Sequence, residues 1–230
     1  MRKTTTGSRS PFRSVSWIAS AVFVGALAVL ALVFTMQGVR TQVEEGAPSP
    51  STAPSAASAI CAPLSGDDLG DTRWSPLGPS YVPSQADVGP GVIEPDGFRR
   101  CFAPSPAGAV MAAANFVIQG SASVDLRLRL AAEATVPGPG RDAALAATGM
   151  GGSTNNSVQI AAYRVDEVHE REALITIVVR TADGRLIQGS VPLAWFDGDW
   201  KLVVDPLTGA YTVLSPVANL GGTTPWSAGS

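Results

Sequence analysis

The side chains best suited to nucleophilic, redox or metal chemistry in this chain are its only two cysteines, Cys61 and Cys101, and its only histidine, His169. The cysteines lie too far apart for a CxxC redox pair, and with one histidine they cannot fill a four-ligand zinc site. His169 sits in DEVHEREA, between two strand-like runs. There Asp166, Glu167, Glu170 and Glu172 read as a solvated acidic edge rather than a poised acid–base pair. No GxSxG, no P-loop and no strand-linked GxGxxG is present, and PGPG and GMGGS lack the lysine or helix context that would give them meaning. Trp195 and Trp200 flank a tight turn and read as a cross-strand pair, not as a stacking platform for nucleic acid. The expectation is a non-enzymatic chain without catalytic, cofactor-binding or metal-binding residues.

Where such a chain sits follows from Val15–Met36, VSWIASAVFVGALAVLALVFTM, which contains neither charge nor proline. About 20 apolar residues cross a hydrocarbon core of roughly 30 Å, so 15–36 is expected to be a transmembrane helix. Arg2, Lys3, Arg9 and Arg13 precede it without an acid, and Glu44 and Glu45 follow it. This asymmetry puts the N-terminus, 1–14, in the cytoplasm and the rest outside. The run is longer than the apolar region of a secretory signal, so a retained single-span anchor in the cell membrane is expected over a cleaved leader. A lipoprotein reading of Cys61 fails because Ile60 stands where a small residue should precede a lipidated cysteine.

In an oxidising compartment a Cys61–Cys101 disulfide is the natural state, in preference to two free thiols. Of the 16 Lys and Arg four precede the apolar run, leaving 12 against all 19 Asp and Glu, a net charge of about −7 outside. That balance argues against direct contact with nucleic acid.

The positioning elements come next. Residues 37–59, rich in Pro, Ser and Ala, lack the apolar groups that repay ordering and read as a stalk. Residues 60–98 scatter Trp74, Tyr81, Val88, Val92 and Ile93 among turn residues, which suits an extended arm wrapped over another domain. Ser105 and Pro106 open a helix whose apolar positions, Val110, Ala113, Ala114, Val117 and Ile118, recur until Gly120.

The stretch SASVDLRLRLAAEATV alternates as a strand would, yet Ser123 is placed to cap a helix and Asp125 lies four residues before Arg129; helix is expected. Residues 140–149 give a third, short helix. From Ser157 four strand-like runs follow, with Asp183-Gly184 and Asp197-Gly198 as hairpin turns and Pro192 marking a bulge or an edge. The fold class expected is α+β, with three helices packed in a curved four-stranded antiparallel sheet over 99–215 and a flexible tail over 216–230.

Three stretches, GPGVIEPDGFRRCFAPSPAGAVMAAANF, PGPGRDAALA and WFDGDWKLVVDPLTG, resemble in that order an uncharacterised family of membrane-anchored actinobacterial proteins of integrative conjugative elements. The resemblance covers about Cys61 to Gly209. It implies a cone-like domain of the nuclear-transport-factor-two-like fold, similar to the bitopic scaffold subunit of type IV secretion systems. In such relatives the domain assembles with copies of itself and with channel subunits, so these are the expected partners and no small-molecule substrate is expected. The same cone also hosts enzymes with an acid–histidine pair in the cavity. A domain that binds or transforms a small apolar ligand, or a cell-wall adaptor, is therefore the alternative.

Overall fold

The Ser105 side chain accepts the Gly108 N–H at 3.1 Å, and Pro106 takes the first helical position, where its missing N–H loses nothing. Helix α1 then spans Pro106–Ala122 in the computed structural model, which describes residues 61–150 and 157–229. Position 108 is glycine because a Cβ there would run into the Ala103 carbonyl. Ser123, in extended conformation, ends α1 and caps α2, Val124–Glu133, by accepting the Leu126 N–H. The third helix, α3, spans Pro139–Met150.

Helix α1 is buried on every side, with Ala109, Met111, Ala112, Ala113, Ala114, Phe116 and Ile118 inaccessible to solvent. A helix apolar all round needs cover on all faces. The first cover is the segment expected to be an arm. It forms a hairpin of β1, Arg73–Leu77, and β2, Ser80–Ser84, and a short pair of β3, Val92–Ile93, with β4, Arg99–Arg100. Asn115 donates from Nδ2 to the Pro83 carbonyl at 3.1 Å, and Gln119 Oε1 accepts the Arg99 N–H at 2.9 Å, so α1 is hydrogen-bonded to this cover. Val82, Val88 and Phe98 add their side chains to the core. Arg129 of α2 clamps the β3–β4 turn, pairing with Asp96 at 2.7 Å and Glu94 at 3.2 Å over the Phe98 ring.

The second cover is a sheet of β5 (Val158–Val168), β6 (Glu172–Thr181), β7 (Leu186–Phe196), β8 (Asp199–Leu202), β9 (Ser215–Val217) and β10 (Thr224–Pro225). The first four form the antiparallel meander, and Asp197 and Gly198 both take positive φ in the last turn, as a tight hairpin demands. Ile160, Ile175, Ile177, Val191, Leu193 and Leu202 face α1, and Phe102 meets Phe116 edge-on at 5.7 Å. Burying each large apolar side chain contributes roughly 1.5–3 kcal/mol.

The expected fold class is corrected here. The sheet has six strands, not four, in the order β10-β5-β6-β7-β8 with β9 on β7. Strands of three and two residues are too short to show alternation, so periodicity alone missed β9 and β10. The last strand comes from the segment expected to be a flexible tail. Trp226 docks beside it, 8% exposed, with its ring 5.0 Å from Trp74 and 5.5 Å from Tyr163. Pro192 causes no bulge. It pairs with Leu174 on one side and lies between the stretches of β7 that bond β8 and β9 on the other; the register shifts fall in β5 instead. Among the described residues no helix is long and apolar enough to cross a membrane, and the transmembrane helix expected at 15–36, like the stalk at 37–59, lies outside them.

Candidate functional site

The residues that sequence singled out do not converge on a reaction centre. Cys61 and Cys101 form a disulfide with their Cα atoms 5.3 Å apart. Asp199 lies within 4.8 Å of both sulfurs, but bonded sulfurs are not thiolate ligands, so this trio does not hold a metal. His169 is at the β5–β6 turn, 64% exposed, with its Nε2 2.6 Å from Glu167 Oε1. It is a solvated turn residue, far in kind from a general base in a dry pocket. Trp195 and Trp200 pair across β7 and β8 with ring centroids 5.4 Å apart, and the Trp200 indole donates to the Ala103 carbonyl at 2.9 Å.

Side chains of another sort meet at the end of α1. After β8 the chain turns back over α3 so closely that a Cβ at Gly140 would strike the Val204 carbonyl, and one at Gly209, whose φ is +70°, would strike the Ala143 carbonyl. This return lays Tyr211 beside Gly120, its hydroxyl 3.4 Å from where a Cβ would stand. The space left between α2, α3, β8 and the return is a cavity of about 110 Å³, lined by Arg127, Leu130, Thr135, Thr148, Leu202 and Tyr211 among others.

Arg127 is the one charged residue in that lining. Its Nε and Nη2 are buried and have no hydrogen-bond partner among the described residues. Burial pushes the Tyr211 hydroxyl up to about 12, against the nearby Arg127 charge, so it stays protonated and can donate. Thr135 and Thr148 send their hydroxyl protons to the Leu130 and Ala144 carbonyls at 3.0 and 2.8 Å. No histidine and no carboxylate line the cavity.

Arg99 is a buried cation, 5% exposed, under the β1–β2 hairpin. Its Nη2 donates to Ser75 Oγ at 3.1 Å, while Nε and Nη1 have no partner, and burial pulls its pKa down.

Residues 39–225 match the family described as Domain of unknown function (DUF8175). The chain belongs to that family. No curated protein and no solved structure matches it.

Sequence reasoning passed over the cavity of this DUF8175 chain for a physical reason. Arg127 looks like one of the alternating arginines of LRLRL, and Tyr211 follows the last long strand in a stretch without periodicity. They meet because the return after β8 crosses α3. The glycines at 140 and 209 are the signal that something passes close by, but not what.

Proposed function

We propose that this chain is a non-enzymatic structural component of a conjugative DNA-transfer envelope complex of the type IV secretion kind, acting outside the cytoplasm by assembling with itself and with channel subunits. The observation that carries the assembly reading is the exposed apolar excursion between β8 and β9. Leu207, Val213 and Leu214 are 93%, 87% and 65% exposed, the three most exposed large apolar side chains among the described residues. Exposed apolar groups gathered in one segment mark protein contact surfaces. The disulfide supports a place outside the cytoplasm, since such bonds persist in oxidising compartments. The apolar run Val15–Met36 supports a location at the cell membrane. The conjugative setting rests on the resemblance carried by the GPGVIEPDGFRRCFAPSP and WFDGDWKLVVDPLTG stretches.

The test is crosslinked affinity capture of the full-length protein from its native membranes, beside a Leu207→Asp/Val213→Asp variant. Recovery of further copies and of conjugation ATPases and channel subunits, lost in the variant, is expected. A protein that comes alone, or a variant that keeps the same company, overturns the proposal.

A further inference from the structure

We propose that the Cys61–Cys101 disulfide exchanges with an external dithiol at one sulfur only, that of Cys61, with Cys101 as the leaving sulfur. This does not depend on the assembly reading. Cys101 is 0% exposed, whereas Cys61 is partly exposed. A thiolate attacks a disulfide sulfur in line with the bond it breaks, so access decides which sulfur is taken. Cys101 is also fixed on both sides: its N–H is bonded to Asp199 Oδ2 at 2.9 Å, and its carbonyl accepts the Gly91 N–H at 2.7 Å. Gly91 packs so closely that a Cβ there would lie 3.3 Å from the Cys101 Cβ.

The surroundings of Cys101 suit a leaving thiolate. Arg100 Nη1 lies 3.8 Å from its Sγ, while Arg100 Nε pairs with Glu94 at 3.2 Å. A guanidinium beside a sulfur stabilises the thiolate, and a more stable leaving thiolate departs faster. The Asp199 carboxylate, within 4.8 Å of both sulfurs, opposes this, but it already accepts three N–H groups and faces Lys201 at 3.8 Å. Cys61 lies at the looser end. Among the described residues, the first backbone hydrogen bonds after it are those of Gly66, whose N–H reaches the Asp87 carbonyl at 2.8 Å and whose carbonyl accepts the Ser105 hydroxyl at 2.6 Å. The chain from Gly66 onward is therefore held without the disulfide.

In the exchange, the external thiolate bonds to Cys61 Sγ as the Cys61–Cys101 bond breaks, and the electron pair leaves on Cys101. The second thiolate of the dithiol then bonds to the first and releases Cys61. Two electrons pass to the cystine, and the two thiol protons of the dithiol end on the two cysteines. A thiol–disulfide oxidoreductase of an oxidising compartment is the class of partner that carries such a dithiol, and its disulfide form closes the bond by the reverse steps. Opening frees residues 61–65, which span at most about 17 Å when extended.

The experiment treats the native full-length protein in detergent with excess reduced glutathione, quenches with acid at early times, and locates the adduct by peptide mass spectrometry. Glutathione is expected on Cys61, with about tenfold less on Cys101. Arg100→Met should slow the first adduct about fivefold. Cys101→Ser and Cys61→Ser, which leave one thiol each, are compared with an aromatic disulfide reagent: Cys61 should react about tenfold faster than Cys101 in the native protein and at an equal rate in guanidinium. The adduct pattern of the unmutated protein decides the matter if the variants do not fold. An adduct mainly on Cys101, equal labelling of both, an adduct that forms only after denaturant is added, or an unchanged rate in folded Arg100→Met overturns the proposal.

Discussion

The Asp199 carboxylate holds the backbone of Cys101: its Oδ2 accepts the Cys101 N–H at 2.9 Å, while Oδ1 accepts the Phe102 and Trp200 N–H groups, each at 2.9 Å. Cys101 is thereby kept at a φ of +68°, a conformation that non-glycine residues adopt only when their surroundings impose it. Burial pushes the Asp199 carboxyl above its ordinary range, against the pull of Lys201 and of the three N–H donors.

Replacing this carboxylate tests the clamp. Asp199→Asn turns an NH2 group toward backbone donors, and the expected loss is about 1–3 kcal/mol of unfolding free energy, measured by urea titration. A loss within about 0.5 kcal/mol, typical of neutral surface changes, would show that the clamp is not holding the turn.

Reduction of the disulfide should destabilise the same region. The bond closes a loop with a sequence separation of 40 residues, and the chain-entropy account assigns such a loop about 4 kcal/mol. Thermal unfolding with and without reductant is the measurement, with a Cys61→Ser/Cys101→Ser variant expected to match the reduced protein. Coincident melts would deny the bond a structural role.

Asp96 sets a pH dependence whose sign is fixed by its partners. The Arg129 hydrogen bond, with help from the Phe98 N–H, holds its carboxyl below the ordinary 3.8. A folded value below the unfolded one means that the stabilisation is present above the ordinary value and is lost as pH falls through the folded one. Asp96→Asn should therefore be less stable than the parent at about pH 7, and the gap should close below about pH 3. Paired urea midpoints across that range would show it; a gap that widens on acidification contradicts the assignment.

Trp226 ties the C-terminal segment to the fold through Trp74, Tyr163 and its indole bond to Thr72 Oγ1 at 3.3 Å. Trp226→Ala is expected to cost about 3–5 kcal/mol and to raise hydrogen exchange in β5, where β10 pairs. Unaltered exchange in β5 would mean that the segment docks without supporting the sheet.

Local chemistry is what the sequence by itself determined. Ser105–Pro106 and Ser123 start their helices, Asp197-Gly198 turns its hairpin, and the period of two from Val158 makes strands, because each depends on groups a few residues apart. The disulfide was legible from compartment and cysteine count. Tertiary structure decided everything that requires distant segments to meet. Strands β9 and β10 exist only because β7 and β5 offer them edges, and α1 is enclosed only because the β1–β2 hairpin folds over the side the sheet leaves open. The Arg127–Tyr211 cavity has the same origin: neither residue is marked by its neighbours in sequence, and only the return after β8 brings them to one lining.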